Sequence, residues 1–450
     1  MDLDTALQNL PPNADEAMVQ QVFSKLFLQS LGYESLETRS EFSVGRRAVD
    51  WAVRKNTGAE DIFFHSQKEP YLYMEVKGRT ENLTEGHNHY LRHSGQLKQY
   101  LLAPQSNTVK WGILMNSLNA QLFRKHGKVV HPSLPSLSFE DSAGLIKATR
   151  AKIEHPQSGL VVTVYNNKGG VGKTTTVINL AAILSKLKKR VLVIDLDANQ
   201  GDLGAALNMP KAEGEMVSIL FGEQEDICDI KKTYKFSHPR LKNDYGFDVV
   251  LADRELSSAN DRVINETKLK QHVKPYTLLK ALEKAKHEYD YILIDAPPGW
   301  RVFSQQAICS ADVVLIPARH DNLHSLQNAG MTIARFLPVA QQALRKYGYP
   351  GPIALPIFLN NAHSPTDAQI DVMHKAIGKV IRANSRYGIN LTPYFYPKKK
   401  PRAGSQDISM ISVPYLAYIS QSDFMHVPGV FWHKTVHDQY LNLVKEYFVA

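Results

Sequence analysis

Lys168-Gly-Gly-Val-Gly-Lys-Thr-Thr175 lies between two runs with opposite habits. Before it, Leu160-Val-Val-Thr-Val-Tyr165 is β-branched and apolar, the composition of a buried strand. After it, Thr176-Val-Ile-Asn-Leu-Ala-Ala-Ile-Leu-Ser-Lys-Leu-Lys-Lys189 has helical spacing and a basic end. Strand, glycine-rich loop, Lys-Thr and helix together make a phosphate-binding loop. Gly169, Gly170, Val171 and Gly172 turn successive backbone N–H groups toward phosphate, and the helix N-terminus adds its dipole. In this reading Lys173 reaches the β- and γ-phosphates, Thr174 binds Mg²⁺ through its hydroxyl, and Thr175 continues the loop.

The whole chain sets the frame for that loop. At 450 residues it has room for two or three domains with cores of their own. Its 43% hydrophobic and 22% charged residues are those of an ordinary globular protein. No apolar run is long enough to span a bilayer, and Met1-Asp-Leu-Asp4 lacks the basic and apolar regions of a secretion signal. Only Cys228 and Cys309 occur, without metal-ligand spacing, so a reduced cytoplasmic protein is expected. The formal net charge of +9 is compatible with a nucleic-acid partner.

Toward the N-terminus, Asp15–Ser30 reads as a helix capped by Asn13 or Asp15 and ended near Gly32. Ser40-Glu-Phe-Ser-Val44 and Ala48-Val-Asp-Trp-Ala-Val53 read as strands. A third strand, Tyr71-Leu-Tyr-Met-Glu-Val-Lys77, is apolar or aromatic until Glu75 and Lys77 interrupt it. A carboxylate and an ammonium on one face of a buried strand are costly unless they pair or hold a metal. Asp50 on one strand and Glu75-Val-Lys77 on the next is a metal-nuclease pattern. Asp50, Glu75 and the carbonyl of Val76 would supply hard oxygen ligands to Mg²⁺. Lys77 would orient water or stabilise charge on a scissile phosphate.

Residues 15–127 resemble the N-terminal nuclease domain of type I restriction enzyme R subunits, in the PD-(D/E)xK superfamily. The resemblance rests on Leu31-Gly-Tyr33, Gly45-Arg-Arg-Ala-Val-Asp50, Met74-Glu-Val-Lys77, Gln96-Leu-Lys-Gln-Tyr100 and Trp111-Gly-Ile-Leu-Met-Asn116. It implies that Gln96 and Tyr100 contact the catalytic site or the DNA backbone. Glu16 is an additional candidate acid from the first helix. Asp50-Trp51 departs from the simple apolar residue that commonly follows this Asp. Two readings stay open, an intact nuclease and a degenerate nuclease fold used for binding. His87, His89 and His93 read as an exposed loop, since no second ligand pair closes a zinc site.

His131-Pro-Ser-Leu-Pro-Ser136 and His155-Pro-Gln-Ser-Gly159 read as breaks around one amphipathic helix, 139–153. The expected organisation is residues 1–130 as a nuclease-like domain, 131–158 as a helical linker and 159–450 as a nucleotide-binding domain. The fold class is α/β throughout, a restriction-endonuclease-like α/β domain followed by a doubly wound, mostly parallel P-loop domain.

In the second half, Arg190–Gly201 reads as a strand delivering two acids at its C-terminal end. Tyr291-Ile-Leu-Ile-Asp-Ala-Pro-Pro-Gly299 reads as a strand ending in a Walker B acid. Strands at 313–317 and 353–361 alternate with helices at 277–286 and 324–336. This half is similar to the ParA/MinD family of deviant Walker A ATPases, and the deciding residue is Lys168. The resemblance implies that Lys168 reaches the partner's phosphates in an ATP-sandwich homodimer. It implies further that Asp197 polarises the attacking water, that Asp295 supports Mg²⁺ through water, and that Pro297-Pro298-Gly299 form a switch. Asn360 falls where the family recognises adenine, and Val413–Tyr418 with a closing helix near 432–448 fit its layout. His320-Asp-Asn322 departs from the family's usual loop. Tyr396-Pro-Lys-Lys-Lys-Pro-Arg402 suits nonspecific contacts to the DNA backbone or a solvated loop equally.

Together the halves point to an ATP-regulated, Mg²⁺-dependent DNA endonuclease acting in defence against phage or plasmid DNA, with partner proteins encoded nearby. The alternative is a partition or positioning ATPase whose N-terminal fold grips DNA without cutting. A metabolic relative or metal-cluster carrier would be expected to carry paired cysteines, and this chain has none.

Overall fold

The computed structural model of the chain describes residues 2–198, 201–210, 212–237, 244–253, 271–362, 365–401 and 408–449. Asn199, Gln200 and Arg402, which fall within stretches read above, lie outside the described residues. The chain forms two compact units, built essentially on Met1–Pro156 and on Gln157–Tyr347 with Gly351–Val449. No helix among the described residues is long and apolar enough to cross a membrane.

The first unit is one seven-stranded mixed sheet between two helical layers. Its strands are β1 (Thr38–Val44), β2 (Arg47–Val53), β3 (Leu72–Val76), β4 (Trp111–Met115), β5 (Asn119–His126), β6 (Val129–Pro132) and β7 (Leu137–Ser138). They run in the order β1-β2-β3-β4-β5-β6, with β7 also on β5. Only β3 and β4 are parallel neighbours, and the Asn88–Leu101 helix makes the crossover between them. Both central strands are buried along their whole length. Leu72, Met74 and Val76 pack on one side with Phe23, Phe27 and Leu145. Tyr73 and Leu114 pack on the other with Leu97 and Leu101 of the crossover helix. The period of two thus puts Glu75 on the side that carries the crossover helix.

The first long helix starts at Glu16–Val19, with the Asp15 carboxylate accepting from the Met18 N–H. It passes through a π-turn at Gln20–Ser24 and ends as Lys25–Ser30. Of the stretch 131–158, read as breaks around a linker helix, residues 131–156 belong to this unit and 157–158 to the second. His131 and Pro132 sit in β6, Leu137 pairs with Ala120, and the Ser142–Glu154 helix buries Leu145. Phe139 meets Phe23 and Phe27 edge-on at 4.9 and 5.2 Å. Proline and serine are tolerated there because β6 and β7 are short edge strands.

The second unit carries a second seven-stranded sheet. Its members are β8 (Leu160–Val164), β9 (Val191–Asp195), β10 (Lys232–Phe236), β11 (Tyr245–Val250), β12 (Tyr291–Asp295), β13 (Val313–Leu315) and β15 (Ile353–Ala354). The order is β10-β11-β9-β12-β8-β13-β15, parallel except for the antiparallel edge pair β10-β11. β14 (Pro317–Ala318), β16 (Phe358–Ala362) and β17 (Ile411–Pro414) form a small parallel sheet. The runs expected as single strands at 313–317 and 353–361 each break where a proline, Pro317 or Pro356, interrupts the ladder. The helix read at 324–336 runs as Leu323–Met331, a π-turn at Thr332–Phe336, and Leu337–Arg345. Pro338 lacks an N–H just beyond the widened turn, which accounts for the π geometry there.

Because the Ser142–Glu154 helix completes a core rather than tethering one, Leu145→Ala leaves a cavity beside Phe139. It should destabilise the first unit by about 2–5 kcal/mol. Denaturant unfolding followed through the emission of Trp51 and Trp111 measures this; an unchanged midpoint would show that the helix is only a spacer.

Candidate functional site

In the second unit the phosphate loop joins the C-terminal end of β8 to the Lys173–Lys186 helix. Gly172 has φ +80°, and a Cβ there would lie 2.2 Å from Asn360 Nδ2. Only glycine satisfies both the conformation and the space. Asn360 comes from β16 and donates its amide to the carbonyls of Val171 and Gly172 at 2.9 and 3.2 Å. Expected at the adenine base, Asn360 therefore spends its NH₂ bracing the loop. On the other flank, Asn166 Oδ1 accepts the Lys168 N–H at 2.9 Å. Its Nδ2 donates to the carbonyls of Pro317 and Ser325.

The loop floors a cavity of about 300 Å³ lined by Gly169, Gly170, Gly172, Lys173, Thr174 and Thr175. Asp197, Asp202 and Asn360 line it too, with Pro414, Tyr415, Leu416 and Ile419 adding a largely apolar wall. One wall is polar and the other can pack a flat apolar group, which suits a nucleotide.

Lys173 is buried, and burial lowers its pKa against the opposing charges of Asp295 and Asp197. β9 and β12 are in register with Asp195 opposite Asp295, so two buried carboxylates stand side by side. Burial raises Asp295 to about 7, although the Thr174 hydroxyl and Lys173 pull it down. Burial first, and the Asp295 charge second, push Asp195 well above the usual range. Asp195 also accepts the Asp197 N–H at 2.9 Å, which fixes the start of the loop that carries Asp197. More negative charge is buried here than Lys173 neutralises, a donor set that fits Mg²⁺ accompanying a triphosphate. Thr174, Asp197 and Asp295 are the residues placed to hold it. Lys168 differs from Lys173. It is exposed, and its ammonium makes no hydrogen bond or ion pair among the described residues. Pro297 is buried in the turn after Asp295, whose Gly299 carbonyl accepts from the Tyr165 hydroxyl.

In the first unit seven expected residues meet, and Val76, expected through its carbonyl, contacts Asp50 through its N–H. Trp51 is paired with Met74, so Asp50 and Glu75 are the next neighbours along the β2–β3 ladder. Asp50 Oδ2 accepts the Val76 N–H at 2.6 Å. Lys77 Nζ lies 3.0 Å from Glu75, 2.9 Å from Glu16 and 4.0 Å from Asp50. Gln96, on the crossover helix, donates to Glu75 Oε1 at 2.7 Å and lies 3.1 Å from the Tyr100 hydroxyl. Glu16 gets there because Gly78 has no side chain: a Cβ would lie 3.1–3.3 Å from the backbone of Ala14, Asp15 and Glu16.

Burial raises Asp50 to about 6 and Glu75 to about 7, the latter also by the charge of Asp50. Burial works against the Lys77 ammonium, yet Glu75, Glu16 and Asp50 hold its pKa above the ordinary lysine value. Glu75 Oε2 is buried with no hydrogen-bond partner among the described residues. No cluster of three or more His, Cys, Asp or Glu in metal-binding geometry occurs among the described residues. The cluster instead offers two carboxylates with an orphaned oxygen, the donor set of a small, hard divalent cation. His89 and His93 bond to Glu81 at 3.2 and 2.9 Å, and Arg92 occupies the same carboxylate.

Sequence reasoning does not single out Asp195, Asp202 or Asn166. Asp195 is visible as the first of two acids in the run 190–197, but its pairing with Asp295 needs the strand order. Asn166 and Asp202 carry no periodicity signal of their own.

Residues 159–345 match the family model described as an AAA domain. The chain is 34% identical over 162 residues to the sporulation initiation inhibitor protein Soj of Bacillus subtilis, covering 36% of this chain and 58% of that protein. It is 36% identical over 162 residues to the chromosome partitioning protein ParA of Caulobacter vibrioides, covering 35% and 55%. A structure of apo McdA from Cyanothece overlaps 64% of this chain and 99% of that one at 20% identity, with a TM-score of 0.44. The second unit thus carries a P-loop domain similar to ParA-type ATPases. The chain spans little more than half the length of the curated relatives it matches.

Gly172→Ala should lower nucleotide affinity on the order of tenfold or more while the far-UV CD spectrum stays unchanged. Titration with a fluorescent ATP analogue tests this, and wild-type affinity would refute the role given to the Asn360 contact. In the first unit, the raised pKa of Asp50 and Glu75 means that the folded state binds more protons than the unfolded one between about pH 4 and 7. Stability from these groups is present below their unfolded pKa and falls as pH rises through their folded values. Without nucleotide, Mg²⁺ should therefore raise the first unit's melting temperature more at pH 8 than at pH 5.5. Asp50→Asn should flatten that difference. Differential scanning fluorimetry reads both.

Proposed function

We propose that the chain is an ATP-dependent switch of the ParA kind, which binds ATP with Mg²⁺, associates in pairs around nucleotide and acts on DNA. The observation that carries this is the division between the loop's two lysines. Lys173 is buried facing Asp197 and Asp295, where it serves its own phosphates, while Lys168 is exposed and makes no ion pair among the described residues. Such a lysine at the mouth of a phosphate site suits phosphates bound by a second copy. Two relatives are named for chromosome partitioning and for inhibiting the start of sporulation, which supports a partition or positioning role. The net charge of +9 and the exposed Lys398–Lys400 run favour nonspecific contact with the DNA backbone. In this role Asp197 and Asp295 orient water and metal for hydrolysis.

A second reading is favoured by one observation, the Asp50–Glu75–Lys77–Gln96 cluster on the first unit's central strands. Buried carboxylates beside a lysine, on a strand whose crossover helix supplies Gln96, support Mg²⁺-dependent cleavage of a phosphodiester. The ATP switch would then control when DNA is cut, in defence against foreign DNA.

Purified protein incubated with supercoiled plasmid and Mg²⁺, with and without ATP, separates the two readings. The switch reading predicts DNA retention that requires ATP and falls at least tenfold in Lys173→Ala, as expected for loss of charge-assisted phosphate contacts. ATP-independent retention would refute it. The nuclease reading predicts nicked or linear product that disappears in Asp50→Ala and Lys77→Ala. Intact plasmid from wild type, or equal cleavage by these variants, would refute that one.

A further inference from the structure

Tyr165, the residue between β8 and the phosphate loop, is fully buried yet keeps its hydroxyl in two polar contacts. The hydroxyl lies 2.9 Å from the Gly299 carbonyl oxygen and 3.2 Å from Asn167 Oδ1, two acceptors that compete for its proton. Its ring is held edge-on to Phe336 at 6.4 Å, and Trp300, next to Gly299, stacks flat on the same Phe336 at 4.5 Å. A phenol has one proton to donate. The shorter contact is to a carbonyl, which only accepts, so the proton goes to Gly299. Asn167 Oδ1, the farther acceptor, shares the same proton at 3.2 Å. One hydroxyl thus bridges two segments, donating to Gly299 at the shorter distance and to Asn167 Oδ1 at the longer.

From this we infer that Tyr165 is a positioning residue that couples the turn after Asp295 to the segment presenting Lys168. The inference rests on the proposal that Lys168 serves a second copy of this chain. On one side, the backbone at Lys168 is already fixed, because Asn166 ties its N–H to Pro317 and Ser325. Asn167 is the remaining side of that segment, and through Tyr165 it is tied to Gly299. The turn at 297–299 directly follows Asp295, whose charge faces Lys173 and hence the nucleotide's phosphates. A displacement of this turn by nucleotide breaks or tightens the relay and so moves Lys168. Trp300 rides on the same turn, so its stacking on Phe336 reports the displacement.

The test uses the full chain with Tyr165→Phe, which keeps the buried ring and removes only the hydroxyl, and with Asn167→Ala and the double substitution. Three quantities are read: affinity for a fluorescent ATP analogue, ATP-driven association by sedimentation velocity, and the ATP-induced change in tryptophan emission that Trp300→Phe abolishes. Nucleotide affinity is expected to stay within about twofold of wild type. Association should weaken about fivefold, the ratio that corresponds to one ordinary hydrogen bond. The Trp300 response should shrink in parallel, with the double substitution no worse than either single one, as members of one relay require. Wild-type association and an unchanged Trp300 response in both single variants would overturn the proposal. So would a large loss of nucleotide affinity, since Tyr165 would then support the loop itself. Lys168→Ala keeps the two failures apart. If it associates like wild type, or if wild type does not associate with ATP, the pairing reading has failed and the Trp300 response alone decides on the relay. If Lys168→Ala is defective while Tyr165→Phe is normal in both readouts, the relay alone has failed.

Discussion

The second unit is organised around an electrostatic imbalance at the C-terminal edge of its parallel sheet. The alignment of β9 with β12 brings Asp195 against Asp295, both buried, with Asp197 two residues on and Lys173 as the nearest compensating charge. Parallel pairing forces this, because strands running the same way end on the same side. Burial of unbalanced carboxylates is expensive, and the pKa of both is pushed up accordingly. A divalent cation with a polyphosphate resolves the imbalance: the cation takes the carboxylates, and the phosphates take Lys173 and the loop's N–H groups. A site of this kind is stabilised by loading.

The first unit meets the same difficulty with another balance. Asp50 and Glu75 also stand on neighbouring buried strands, but Lys77 lies within reach of both and is shared with Glu16. Three carboxylates around one ammonium still leave an excess of negative charge, and Glu75 Oε2 has no partner among the described residues. Gln96 and Tyr100 add hydrogen-bonding capacity without adding charge. Such a cluster is a costly way to hold a core together, since apolar residues of similar volume would do so without desolvating charge.

Much of this is legible in the sequence because the residues concerned are close in the chain. The loop 168–175 is contiguous, and its glycine spacing has one common physical use. Glu75 and Lys77 announce themselves as charges inside an apolar run, and Gln96 and Tyr100 as one face of a helix. What stays hidden depends on contacts across the fold. That Asn360 braces the loop follows from β16 passing beside Gly172, at a separation of 188 residues. The β10–β11 edge pair escapes a sequence reading, since its strands are only five and six residues long and neither is buried throughout. Residues 131–138 look like a break because proline and serine carry turn signals, whereas edge pairing to β5 decides their conformation. Asp15 is legible as a cap, but the approach of Glu16 to Lys77 needs the bare backbone at Gly78.

The two clusters also differ in how freely each can change charge. Asp195 and Asp295 are almost sealed, at 2% and 1% exposure, so their protonation and metal occupancy are tied to opening or loading the nucleotide cavity. Around Lys77 the third acid, Glu16, keeps 46% of its side-chain surface exposed and can leave the lysine without opening the core. When a divalent cation satisfies Asp50 and Glu75, Lys77 loses attractive charge from them, and Glu16 becomes its main remaining anion. On the nuclease reading proposed above, the same ammonium would exchange Glu16 for an incoming phosphate at small cost, because both partners are anionic oxygens. On that reading, metal loading and phosphate capture in the first unit would be sequential, because the acids and the phosphate draw on one ammonium. The two clusters thus differ in what a change of charge costs, since one is a sealed pair of acids and the other includes an acid that can leave without opening the core.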